Sequence, residues 1–143
     1  MTVHTTSGMT GIVQPAESEL VTYTHIIYAL HALSVLIGIG GAISIVGSFV
    51  GGVPSIIAVI MNYVRRSATR GTFLETHFRW QIRTFWFALL WFIVVWAVSL
   101  LLMPLLGLGF LVLGLGLFVV GAWIVYRVVR GWLALSERNA MYQ

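Results

Sequence analysis

The sequence predicts an all-α integral membrane protein: a small helical bundle of four transmembrane helices, the first two forming a hairpin with a short second arm. Three observations predict it. Of the 143 residues, 59% are hydrophobic and 8% charged, where a soluble domain carries about 25% charged residues. Mean hydropathy is +0.98. Two stretches, Ile26 to Val64 and Phe85 to Tyr126, contain no Arg, Lys, Asp or Glu, and each is too long for a single span of about 20 residues. This composition excludes a disordered chain and, despite a net charge of +4, a nucleic-acid-binding domain. The absence of cysteine excludes disulfide scaffolds, thiolate metal sites and thiol catalysis.

Residues 1–19 are polar, rich in Thr and Ser, and free of Lys and Arg. A secretory signal needs a basic start with an apolar run close behind it, so this segment reads as a short tail ahead of a bundle spanning 20–135. Pro15 suits a first helical position, with Glu17 and Glu19 in the first turn facing the positive end of the helix dipole. The first arm is expected from about Leu20 to Phe49 and the second from about Val53 to Val64. Gly47, Gly51, Gly52 and Pro54 supply the breakers between them. At 1.5 Å per residue the second arm is short for a full crossing. A polar connector, Arg65 to Thr76, leads to the second charge-free run, which Pro104 and Gly107 divide into two spans. Arg127 to Gln143 reads as an interfacial helix fraying into a tail at 136–143.

Every basic residue is an arginine, at Arg65, Arg66, Arg70, Arg79 and Arg83 or at Arg127, Arg130 and Arg138. The positive-inside rule puts both groups in the cytoplasm. Four crossings then place the N-terminus inside as well, and three place it outside. Trp80, Trp86, Trp123, Tyr126 and Trp132 fall near the expected ends as interfacial belts, while Trp91 and Trp96 lie deeper and are expected to pack between helices.

The densest polar group next to lipid is Thr76 to Trp86, THFRWQIRTFW. At 100° per residue Arg79 and Arg83 lie about 40° apart with Glu75 alongside, and His77, Gln81 and Thr84 form a second stripe. Polar groups at membrane depth normally face protein or water. The stripe, with Arg79, Trp80 and Arg83, is therefore either a binding or gating site at the mouth of the third helix, or an ordinary entry into the bilayer. In the second case the arginines snorkel to phosphates and the other groups bond neighbouring helices. His25 and His31 are about 240° apart on their helix and share no face, which disfavours a metal or haem pair. His31 can hydrogen-bond across the bundle, or meet His77 or Gln81 if the first and third helices touch. No carboxylate lies inside a span, which counts against a proton-driven carrier.

Glycines dominate the fourth span. Gly107, Gly114 and Gly121 recur every seven residues, and Gly47 and Gly51 make a GxxxG. Small residues let helices approach closely, within the chain or between copies. Nothing matches a phosphate loop, a Ser/His/Asp set or a carboxylate pair, so no enzyme, cofactor or metal site is expected.

With NYVRR at Asn62 to Arg66, RGTFLETHFRWQIRTFW at Arg70 to Trp86, and VYRVVRGWLAL from Val125, the chain resembles a family of small bacterial membrane proteins. These are related to the twenty-kilodalton subunit of the Tic complex of chloroplast protein import. The similarity covers roughly Tyr23 to Leu135. It implies four helices, both termini inside, and the bacterial inner membrane. It brings no reaction and no catalytic residues, and import itself does not transfer on fold-level analogy. The leading expectation is a non-enzymatic subunit, scaffold or assembly factor, with the lipid bilayer and either a second copy or an unidentified membrane protein as partner. The alternative is a small oligomeric channel or transporter lined by the His77, Gln81 and Thr84 stripe. A third reading has Arg65, Arg66 and Arg70 sensing anionic lipid.

Overall fold

Apolar runs of this length satisfy their backbone polar groups only as helices or closed barrels, and here they form helices. The computed structural model describes residues 10–41, 45–105 and 107–141. In chain order come α1 (Thr10–Gly41), α2 (Ile45–Arg65), a short 3-10 helix (Arg66–Thr69), α3 (Leu74–Leu102) and α4 (Leu108–Ser136), with no strand among the described residues. Three segments are long and apolar enough to cross a membrane: Glu17–Gly40 of α1, α3 and α4.

The first hairpin differs from expectation at both ends. α1 begins at Thr10, so Pro15, Glu17 and Glu19 lie inside it rather than at its start, while residues 1–9 of the polar tail lie outside the described residues. α1 ends at Gly41, and α2, at 21 residues, runs uninterrupted through Gly47, Gly51, Gly52 and Pro54. Helix breakers are tolerated in apolar bundles because neighbouring groups re-satisfy the freed backbone, and Pro54 is buried rather than displayed at a turn. What Gly47 and Gly51 pack against lies outside the described residues. The two helices run antiparallel. Tyr23 Oη donates to the Met61 carbonyl at 3.1 Å, His31 Nδ1 meets Ser55 Oγ at 3.1 Å, and Arg65 pairs with Glu19 at 3.6 Å.

The second hairpin turns where Pro104 and Gly107 predict. Pro104 has no N–H to continue α3, and the Met103 amide closes the last turn onto the Leu100 carbonyl at 3.3 Å. Gly107 has φ +77°, the left-handed conformation that glycine adopts without steric cost. α3 and α4 then approach closely through two further glycines. A Cβ on Gly109 would overlap the Ser99 carbonyl oxygen, and one on Gly116 would come within 2.7 Å of the Val95 side chain.

No separate interfacial helix follows Tyr126. α4 continues to Ser136 because nothing breaks it, and Val128, Gly131 and Leu135 on its later turns are buried. It ends in a Schellman arrangement. The Arg138 amide reaches the Leu135 carbonyl at 3.0 Å and the Asn139 amide the Ala134 carbonyl at 2.8 Å. Arg138 holds φ +55°, the position glycine usually fills. That reversal folds residues 139–141 back against α3.

The two hairpins meet at one end of the molecule. Tyr28, Leu74, Val128 and Leu135 form one buried cluster, and Ile27, Ala58 and Phe78 another. Toward the other end α3 and α4 touch mainly each other. Trp91 and Trp96, expected as packing residues, are 50% and 39% exposed there, because α3 turns Val95 and Ser99 toward α4 instead.

Candidate functional site

The segment Thr76 to Trp86 occupies the first turns of α3, where both hairpins converge. Its two stripes separate as the helical spacing predicts. His77, Gln81 and Thr84 are buried, Trp80 is half-buried, and Arg79 and Arg83 are exposed. Arg79 spans one turn to Glu75 at 3.3 Å.

His77 is the centre of a cross-tie between three parts of the chain. Its Nε2 lies 2.8 Å from the Asn139 carbonyl. A carbonyl only accepts, so Nε2 carries the proton, and in the neutral ring Nδ1 accepts from the Tyr28 hydroxyl, 3.0 Å away. The rings of Tyr28 and Phe73 each stand edge-on to the imidazole with centroids 6.0 Å apart. One residue earlier, Thr76 Oγ1 accepts from the Met141 amide at 3.0 Å. The C-terminal segment is thereby strapped to α3, with Met141 buried beneath it.

A second lock joins α3 to α4. Arg127 Nε donates to Thr84 Oγ1 at 2.7 Å, and that hydroxyl donates back to the Trp80 carbonyl at 2.7 Å. Trp80 Nε1 returns to the Arg127 carbonyl at 3.2 Å. The guanidinium carbon sits 3.6 Å above the Trp80 ring and 5.0 Å from that of Trp123, close enough for a cation–π attraction.

The histidines of α1 point apart, as their spacing requires. His25 Nδ1 accepts from Trp132 Nε1 on α4 at 3.0 Å, whereas His31 turns to Ser55 on α2. His77 therefore takes Tyr28, not His31, as its partner on α1. Five buried atoms have no hydrogen-bond partner among the described residues: His31 Nε2 and both amide atoms of Asn62 and of Gln81. Each such group carries a desolvation cost of about 1–3 kcal/mol. No three His, Cys, Asp or Glu side chains converge as a metal set among the described residues.

The glycines of α4 divide into two groups. Gly109, Gly116 and Gly131 are taken up inside the chain, the last against Tyr28, whose ring would stand 2.5–2.8 Å from an added Cβ. A Cβ on Gly114 or Gly121 would meet nothing within 4 Å, and Gly107 serves the turn. Sequence reasoning marked the α3 stripe but not Tyr28, Arg127, Asn139 or Met141. The i, i+3 spacing of His25, Tyr28 and His31 was a usable signal for Tyr28, as was the position of Arg127 at the end of an apolar run. Nothing local marks the tail. No protein-family model, curated protein or solved structure matches the chain.

Proposed function

We propose that the chain is a four-crossing protein of the bacterial inner membrane, resembling the Tic-related family, and that it works as a non-enzymatic subunit, scaffold or assembly factor. The outward face of α4 is the surface that another transmembrane helix covers. One observation carries the reading: Gly114 and Gly121 face open space while their neighbours Gly109 and Gly116 close the chain's own packing. Around that notch Leu111, Leu115 and Phe118 are 58%, 60% and 73% exposed, so a second helix finds a groove with apolar walls. The length of α2, roughly 32 Å at 1.5 Å per residue, supports a fourth crossing. All arginines fall on the end where α2 leaves and α3 enters, or on the late turns of α4 and the reversal that follows it. That distribution supports a cytoplasmic placement for that end.

The channel reading loses ground because the stripe proposed to line a pore between copies is buried within a single chain. Photo-crosslinkers placed at Gly114 and Trp80 in native membranes, with mass-spectrometric identification, test the proposal. A recurrent partner at Gly114 is expected. Crosslinks only to a second copy make the protein a homo-oligomer and reopen flux measurements. A Gly114 probe that captures only lipid contradicts a docking face.

A further inference from the structure

Arg127 and Arg83 mark one depth on two antiparallel helices. Arg83 is the last charge before the apolar run of α3, and Arg127 the first after that of α4. The bond from Arg127 to Thr84 sets the two level. From Phe85 to Leu102 the helix rises roughly 27 Å, about the thickness of a hydrocarbon core, so both guanidiniums fall where lipid phosphates lie.

Neither arginine has an anionic partner among the described residues. Glu19 pairs with Arg65 and Glu75 with Arg79, Glu137 accepts from Asn139, and Glu17 forms no ion pair with a described residue, which leaves neither Arg83 nor Arg127 in an ion pair with a described residue. Arg83 directly precedes Thr84, the residue whose hydroxyl holds Arg127, and its side chain is exposed. Meanwhile the Arg127 guanidinium is held in place. Trp80 covers one face, and Thr84 accepts only from Nε, so the two terminal nitrogens remain as a fixed pair of donors. A planar, oriented guanidinium beside a second one is the geometry that binds a phosphoryl group through two parallel hydrogen bonds.

We infer that Arg127 and Arg83, backed by Trp80, Trp123 and Thr84, form a binding site for a phosphoryl oxyanion at the membrane boundary, filled by the headgroup of an anionic phospholipid. The site relies on membrane insertion but not on docking at Gly114. The binding arrangement differs from general attraction to the exposed connector, because it depends on two named side chains and saturates.

The test uses the full chain in neutral detergent, titrated with short-chain phosphatidylglycerol and, separately, with inorganic phosphate. Phosphorus NMR follows both titrations, and native mass spectrometry counts bound lipid. Saturable binding of one lipid per chain is expected, weakened about tenfold by Arg127→Gln and by Arg83→Gln and less than twofold by Arg70→Gln. Saturation by lipid alone assigns the site to a headgroup. Saturation by phosphate as well assigns it to a phosphoryl group on any bearer, and both results support the site. Arg83 is exposed, so Arg83→Gln gives a clean reading if Arg127→Gln loosens the helix pair. No saturable binding, unchanged binding in Arg83→Gln, or an equal loss in Arg70→Gln overturns the proposal.

Discussion

The two ends of this molecule are built on opposite rules. At the arginine-bearing end the largest fully buried side chains include Tyr28, Phe78, His77, Gln81 and Asn62, and hydrogen bonds connect all four helices and the tail. At the other end Leu101, Phe110 and Phe118 are 76%, 66% and 73% exposed, and α3 and α4 meet through glycine and small contacts. The contrast follows from the solvent. Lipid tails are as apolar as leucine, so apolar side chains gain little by turning inward, and helices associate through close backbone approach and polar bonds. The lesson is that the hairpins find each other through the Tyr28–His77 and His25–Trp132 bonds, not through the bulk of their hydrophobic residues.

The largest effect is expected from prying the polar end apart. In Gly131→Leu the new side chain must displace the Tyr28 ring, which already stands 2.5–2.8 Å from the Cβ position. Denaturant unfolding in mixed micelles should show a loss of about 3 kcal/mol. The same substitution at Gly114, where nothing lies within 4 Å, should change monomer stability by less than about 0.5 kcal/mol. Equal losses would erase the distinction between the two ends.

Next in size is His77→Phe, which strands the Tyr28 hydroxyl and the Asn139 carbonyl. A cost of about 2 kcal/mol is expected, together with faster amide exchange in residues 137–141 as the strap loosens. Protection there that stays as in the parent would mean that the tail is held by Thr76 alone.

Asn62→Leu sharpens the comparison from the opposite direction. The buried amide has no partner for either atom among the described residues, so an apolar group of similar volume should stabilise the chain by about 1–2 kcal/mol. Destabilisation would indicate that the amide is hydrogen-bonded in the membrane. A smaller gain is expected from Arg138→Gly. It relieves the left-handed conformation at φ +55° and should add about 1 kcal/mol without moving the strap.

The membrane-helix composition and the turn at Pro104 and Gly107 were legible in the sequence because charge-free runs and helix breakers are local signals. The first hairpin was misplaced for the same reason: Gly51, Gly52 and Pro54 are local breakers that a bundle overrides. The inward face of α3 was legible as a period, His77, Gln81 and Thr84. Its partners were not, since Tyr28 and Arg127 reach it from 49 and 43 residues away in sequence. Glycine spacing was ambiguous in principle. Gly107, Gly114 and Gly121 interleave with Gly109 and Gly116 at the same seven-residue period, and only the packing of α3 decides which series turns inward.

The most direct test of the polar-end lock is a double-mutant cycle on Tyr28→Phe and His77→Phe, read as unfolding free energy in phospholipid–detergent micelles. A coupling energy of about 1 kcal/mol is expected for a hydrogen bond that joins the hairpins. Additive losses, with coupling below about 0.3 kcal/mol, would contradict it and return the association of the hairpins to apolar packing.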